Sequence, residues 1–169
     1  MKQAGMTRRE RQVFDLAEIK EILDKAKIVH VGMVDGDRPY VVPMNYGYTT
    51  QEGKLVLYLH SAVRGKKLDM IRANNRVFFE TDCDLAPFEG KLPCQYGLVY
   101  SSIMGRGTAT IVEDVEEKKK AMSVLMKTQT EKDFEFYHET ITPAILNNYE
   151  IVYTNDEYDL YCFVSSTQP

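Results

Sequence analysis

The sequence predicts a small antiparallel β-barrel with packed helices, a mainly β fold of the α+β class. Three observations lead there. Three strand-like runs follow one another between residues 28 and 60, joined by short turns. A long run rich in Tyr, Ser, Ile and Val follows between residues 95 and 112. Helical periodicity is confined to a few separated segments, rather than alternating with the strands as a parallel α/β sheet requires.

Taken in order, Met1 to Phe14 is polar and charged and reads as an arm, leaving residues 15–169 as one domain. Asp15 with Glu18 is a capping-box pattern. Leu16, Ile19, Ile22, Leu23 and Ala26 then recur at helical spacing, which predicts a helix from about Leu16 to Lys25. Ile28 to Val34 is strand-like, Asp35-Gly36-Asp37 is a hairpin turn, and the chain returns through Pro39 to Tyr48. Pro43 inside that run predicts a bulge or an edge. A turn at Gln51-Glu52-Gly53 leads into a third strand, Leu55 to His60.

A helix is predicted after Gly65, with Leu68, Ile71 and Met70 inward and a left-handed cap at Asn74-Asn75. Arg76 to Asp82 reads as a strand, and Cys83 to Pro93, with its prolines and Gly90, as a loop. Gly105 and Gly107 predict a bend or bulge inside the long run Gln95 to Val112. Asp114 and Glu117 repeat the capping pattern. The helix they open has one apolar face of Val115, Ala121, Met122, Leu125 and Met126. Asp133 to Asn148 reads as partly helical, limited by Pro143. Tyr149 to Tyr153 and Tyr158 to Val164 read as a closing pair of strands around an Asn155-Asp156 turn.

A chain of 169 residues fits one domain with one core. Its net charge of −4 argues against a general nucleic-acid binder, which carries a basic face, while leaving room for a local basic pocket. Cys83, Cys94 and Cys162 show no CxxC or zinc-ligand spacing. An odd number of cysteines, with no apolar segment after the basic N-terminal residues, predicts a reducing, cytoplasmic location. No run reaches the length of a membrane span.

The chemistry concentrates in Leu55 to Leu68, LVLYLHSAVRGKKL. It reads as a strand ending at His60, a short loop, and a helix opening with Lys66 and Lys67. A helix start gathers free backbone N–H groups and the positive end of the dipole, which makes it a phosphate seat. Lysines there oppose the dipole unless an anion joins them. Solvated first-turn lysines are the plainer reading. Similarly, His60 is either a hydrogen-bonded structural histidine or a group at the mouth of the junction, and Arg64 is a surface charge close enough to contribute. Pro43-Met44-Asn45 on the neighbouring strand marks a simple edge bulge or a ladder interruption that frees backbone groups for a flat heterocycle. Ser101 and Ser102 are small hydroxyls in a strand. His30, His60 and His138 are too far apart in sequence for a ligand motif, so no metal is predicted. GxGxxG, P-loop, HExxH and GxSxG motifs are absent.

In these residues the chain resembles the pyridoxamine 5′-phosphate oxidase-like, FMN-binding split-barrel superfamily, and within it the nitroimidazole-resistance (Nim) type of flavoprotein. Four stretches carry the resemblance: MTRRERQVFDLAEIKEILDKAKIVHVGMVDGDRPYVVPMNYGY, LYLHSAVRGKKLDMIRANNRVFFE, CQYGLVYSSIMGRGTATIVED and EEKKKAMSVLMK, covering most of Met6 to Lys127.

The resemblance implies a split β-barrel and a homodimer with FMN sites at the subunit interface. The flavin ring would lie against Val41 to Tyr46, through Val42, Pro43, Met44 and Asn45. Its phosphate would be held by Ser61, Arg64, Lys66 and Lys67. The partner chain would add residues from Tyr100 to Ile103, among them Ser101 and Ser102. His60 falls at the family's histidine beside the flavin, placed to orient substrate or pass a proton.

The implied function is FMN-dependent reduction of a small aromatic or nitro compound. The alternatives are a related split barrel using F420 or haem, a flavin-binding sensor without turnover, and a dimeric scaffold with a degenerate site. Two departures leave the substrate open: the stretch before the Tyr-Ser pair reads QYGLVYSS without tryptophan, and the C-terminal third is acidic and aromatic. Substrate contacts commonly come from such variable segments.

Overall fold

Asp15 starts the first helix. Its carboxylate accepts hydrogen bonds from the Ala17 and Glu18 N–H groups at 2.6 and 3.3 Å, satisfying donors that a helix start leaves unpaired. The helix that follows, α1 (Leu16–Lys25), buries Ile19, Ile22 and Leu23 and leaves Leu16 exposed. The computed structural model describes residues 11–51, 54–132 and 149–164, the last segment for its backbone and for Val152. Residues 1–10 of the arm, most of the Gln51-Glu52-Gly53 turn and the segment Asp133 to Asn148, with His138, lie outside the described residues.

Among the described residues six strands follow: β1 (Ile28–Asp35), β2 (Arg38–Gln51), β3 (Lys54–Ala62), β4 (Arg76–Phe88), β5 (Gly97–Val112) and β6 (Tyr149–Val164). All neighbours are antiparallel, in the order β1-β2-β3-β6-β5-β4. A short seam between β1 and β4 closes the barrel, with His30 opposite Glu80, Val31 opposite Phe79 and Gly32 opposite Phe78. Alternate residues point inward, so Val29, Val31, Met33, Met44, Tyr46, Leu57, Leu59, Val77, Phe79 and Ile103 form one core with the buried face of α1. A second helix, α2 (Lys66–Ala73), adds Leu68, Met70 and Ile71 to that core.

The third helix, α3 (Val115–Thr130), lies outside the barrel and covers Val56, Tyr58 and Val112 with Ala121. Asp114 caps it by accepting from the Glu117 N–H at 2.8 Å. It crosses β2 at Gly47, where a β-carbon would lie 2.4 Å from the Leu125 Cα. Only a residue without a side chain lets the two backbones meet there.

Several expectations are corrected. The two C-terminal strands are one continuous strand, β6, with no turn at Asn155-Asp156; Asn155 pairs with Val56 of β3 on one side and Thr108 of β5 on the other. A strand flanked on both sides has ladder partners for the polar groups that a turn would otherwise satisfy. β4 runs on through Cys83 to Phe88, past a register shift between Cys83 and Ala86, so that stretch is not loop. Asn74, the cap of α2, is extended rather than left-handed. Val115 is exposed and Met126 half-buried, whereas Met122, as expected, packs against the cluster with Ala121; the fully buried positions of α3 are Ala121, Leu125 and Thr128. The bend expected at Gly105 and Gly107 is present as paired register shifts against β6. Pro43 lies in unbroken register opposite His30; it marks an edge and not a bulge.

Tyr46 ties the barrel to α1. Its side chain is fully buried, and its hydroxyl donates toward the Leu23 and Ala26 carbonyls at 2.8 and 3.1 Å, acceptors left over at the end of α1. Burial raises its pKa well above the ordinary tyrosine value. Tyr46→Phe should lower unfolding stability by about 1–3 kcal/mol, because the two buried carbonyls lose their donor. Tyr48→Phe, at a more exposed hydroxyl bonded to Asp24 at 2.7 Å, should cost less, and urea denaturation of both variants checks the order.

Candidate functional site

β2 runs beside β3 only from Tyr46, opposite Leu59, to Gln51, opposite Lys54. Before Tyr46, β2 continues along β1 as far as Arg38. Meanwhile β3 carries on along β6, where His60, Ser61 and Ala62 face Ile151, Glu150 and Tyr149. The two strands therefore part between Asn45 and His60, and residues 38–45 keep one edge without a strand partner among the described residues. An antiparallel strand turns backbone N–H and C=O groups to both sides, so this edge offers donors and acceptors to whatever lies in the opening.

The chain after β3 closes the other end of the opening. It reverses at Gly65, whose φ of 145° is a backbone region open essentially to glycine, and enters α2. Lys66 then reaches across to the β1–β2 hairpin. Its ammonium ion-pairs with Asp35 at 2.5 Å and lies 5.4 Å from the Tyr40 ring centre. Asp35 accordingly raises the Lys66 pKa. The result is an open slot along the free edge of β2, about 17 Å of strand from Tyr40 to Asn45, with His60 facing its Asn45 end; Tyr40, under the Lys66 ammonium, is itself half-buried against the core, on the same strand face as Val42 and Met44.

Strand alternation decides which candidate side chains face the slot. Val41, Pro43 and Asn45 point outward, whereas Val42 and Met44 pack into the core. Ser61 is also buried, on the face of β3 that carries Leu57 and Leu59, and its Oγ donates to the Ala62 carbonyl at 3.0 Å. His60 faces outward and is half-buried. Arg64 is exposed in the loop before Gly65.

Ser101 and Ser102 are buried in β5, opposite Cys83 and Asp82 of β4. From Asn45 the path to Ser102 crosses β1 and β4, roughly 14 Å round the barrel wall at the usual strand spacing. Along the opening, Pro43 and Asn45 of β2 and His60 of β3 face outward, and Arg64, Lys66 and Lys67 follow β3 into α2; the side chains of Val42, Met44 and Ser61 face the core, and Ser101 and Ser102 lie across the barrel wall.

Lys67 differs from Lys66. It is half-buried and forms no ion pair with any described carboxylate. It sits in the first turn of α2, and no side chain caps that helix start. A cation there is opposed by the helix dipole. Its charge also reaches His60: burial first, and then Lys67, lower the His60 pKa from its ordinary 6.5.

Gln129, in the last turn of α3, was not legible in the sequence. Its amide donates to the carbonyls of Lys27 and Tyr46 at 3.1 and 2.8 Å and accepts from the Asn45 amide at 3.2 Å. It holds the point where β2 leaves β3. Asp35 and Tyr40 were missed too, although the hairpin register already placed both near one tip. Burial and then Asp84 push the Cys83 thiol up to about 11.

A family model described as pyridoxamine 5′-phosphate oxidase matches residues 15–150. Solved structures of the same fold include a Bacteroides thetaiotaomicron protein proposed as a 5-nitroimidazole antibiotic resistance protein, 27% identical over 92% of this chain and 90% of that one, with a TM-score of 0.71. The flavocytochrome Anf3 of Azotobacter vinelandii is 15% identical over 98% of this chain and 74% of its own, with a TM-score of 0.77. A FAD- and haem-binding protein of Mycobacterium smegmatis is 14% identical over 94% and 75%, with a TM-score of 0.76. No curated protein sequence matches this one.

The geometry gives two expectations. Asp35→Asn should release Lys66 and tighten binding of a phosphate-bearing ligand by about two- to fivefold, the scale of an exposed ion pair, whereas Lys66→Ala with Lys67→Ala should weaken it; titration calorimetry checks both. His60, with its folded pKa lowered, binds protons less readily than in the unfolded chain. The stability it contributes is intact above pH 6.5 and falls as the pH drops through that value. His60→Gln should flatten that acid limb of the stability curve. Inorganic phosphate bound at Lys67 should move the His60 titration, followed by NMR, back upward.

Proposed function

The chain belongs to the pyridoxamine 5′-phosphate oxidase family, and from that premise we propose that the slot along β2 holds FMN and that the protein is a flavin-dependent reductase of small aromatic or nitro compounds. The observation that carries this reading is Lys67, a half-buried cation without a carboxylate partner among the described residues, at an uncapped helix start. A phosphate monoester supplies the missing charge, and the first-turn N–H groups supply donors for its oxygens. Lys66 would join it by leaving Asp35, and exposed Arg64 would cover it from the loop.

Bound FMN would supply two-electron transfer between a nicotinamide and an acceptor. The chain's own residues bind and orient. The free edge of β2 from Val41 to Asn45 gives a flat heterocycle hydrogen-bonding backbone, and outward Pro43 gives it an apolar contact. Asn45 is held in place by Gln129. His60, neutral near pH 7 because of burial and Lys67, is suited to donate one hydrogen bond, accept another and exchange a proton with substrate.

The same reading makes the protein a homodimer, with Ser102 and its neighbours completing the slot of a second copy. Its support is the outer barrel wall, where Ile28 and Val34 of β1, Val41 of β2 and Phe78 of β4 are exposed apolar side chains of the kind that mark association surfaces. A haem reading has one observation in its favour: structures of similar fold include a flavocytochrome and a FAD- and haem-binding protein. In that case His60 would be the residue to hold the haem iron.

The visible spectrum of the purified protein, with mass analysis of any released small molecule, tests the reading. Flavin bands and released FMN are expected. The protein-bound flavin, once reduced, should then be reoxidised by an added nitroimidazole faster than free flavin is, and His60→Gln should slow that step while retaining the flavin. A colourless protein that takes up no FMN would sink the proposal, and a haem Soret band would transfer the slot to the second reading.

A further inference from the structure

Away from the slot, the barrel wall gathers three metal-ligating side chains that no motif connects. His30 lies on β1 directly opposite Glu80 on β4, and Asp82 follows Glu80 by two residues on the same strand. Inward positions of both strands are filled by Val29, Val31 and Met33 on β1, and by Val77, Phe79, Thr81 and Cys83 on β4. His30, Glu80 and Asp82 consequently share the outer face. One ligand atom from each lies within 4.8 Å of the other two, with His30 Nδ1 3.2 Å from Glu80 Oε2.

Charge balance on this face is incomplete. Among the described residues, no lysine or arginine ion-pairs with Glu80 or Asp82, while Asp84, next on that strand, is already paired with Lys25 at 3.2 Å. All three members of the cluster are half-buried, so the two carboxylates repel one another through a medium that screens less than water does.

We propose that His30, Glu80 and Asp82 form a divalent transition-metal site on the outer face of the β1–β4 seam. One imidazole nitrogen and two carboxylates make a mixed ligand set suited to Mn²⁺, Fe²⁺ or Zn²⁺, and unlike the thiolates of copper sites or the all-oxygen shells of Ca²⁺. Three ligands from one face of a sheet occupy one side of the ion; its outward positions face the same wall, with Ile28, Val34 and Phe78, that is proposed above to meet a second copy, and are left to water or to a group of that copy. The ion neutralises both carboxylates and replaces the His30–Glu80 hydrogen bond with two metal bonds. It also fastens β1 to β4 where the barrel closure is shortest.

The test uses the full chain stripped with a chelator. Mn²⁺ is titrated in and followed by loss of the free-ion EPR signal, with Zn²⁺ as competitor. One saturable ion per chain is expected, displaced by Zn²⁺. Glu80→Gln and Asp82→Asn, which keep side-chain size, should each weaken binding by about tenfold or more, and His30→Gln should weaken Zn²⁺ more than Mn²⁺. Glu116→Gln, a surface carboxylate on α3, should leave binding unchanged. Circular dichroism shows that each variant is folded. The proposal is overturned if the unmodified chain shows no saturable binding, or if the folded His30→Gln, Glu80→Gln, Asp82→Asn triple variant binds as tightly as the parent.

Discussion

The slot exists because Tyr46 is held from three directions. Its side chain is sealed inside the barrel with the hydroxyl on the last carbonyls of α1. Its backbone is the last of β2 to pair with β3. Its carbonyl accepts from Gln129 of α3, and the next residue, Gly47, lets α3 close in. β2 can then depart from β3 without fraying, because the end of the shared ladder is anchored to two helices. A hydrogen-bonding edge of fixed shape is what a flat ligand needs, since order already present in the protein is not lost on binding.

The two lysines divide the work. Lys66 is neutralised by Asp35 and rests on Tyr40, whereas Lys67 is half-buried beside a histidine whose charging it opposes. Neighbours in sequence thus differ in electrostatic state because one side chain reaches the hairpin and the other turns toward His60. In the proposed reading, the second would supply the charge that draws a phosphate in, and the first would add to it only by giving up its carboxylate.

What could be read from the sequence follows the distance over which each feature is decided. Both capped helices, the Gly36-Asp37 hairpin and the Gly65 reversal are set by residues a few positions apart, and α1 falls where the spacing of Ile19, Ile22 and Leu23 places it. The course of β6 is decided by partners on β3 and β5 far away in the chain, so a turn-like Asn155-Asp156 inside it misled. The same division runs through the site. His60, Lys66 and Lys67 share one short segment and stood out together, whereas Gln129, Asp35 and the His30–Glu80–Asp82 cluster meet only through strand register and helix docking. Met44 and Ser61 belonged to the right segments, but the pleat of each strand turned them inward.

Among the described residues, β6 is the strand that β3 and β5 share on their facing sides, and it arrives from the far end of the described chain. During synthesis on the ribosome, the first five strands emerge with both of those edges bare. The ring cannot close until a strand about 90 residues beyond β3, by the Leu59–Val152 pairing, has been made, and pairings of such long range are slow and leave edges exposed to other chains. Nascent copies would therefore be vulnerable to strand exchange at the rim that ends in His60, which makes the order of synthesis, as much as the finished barrel, a determinant of how much usable slot a cell obtains.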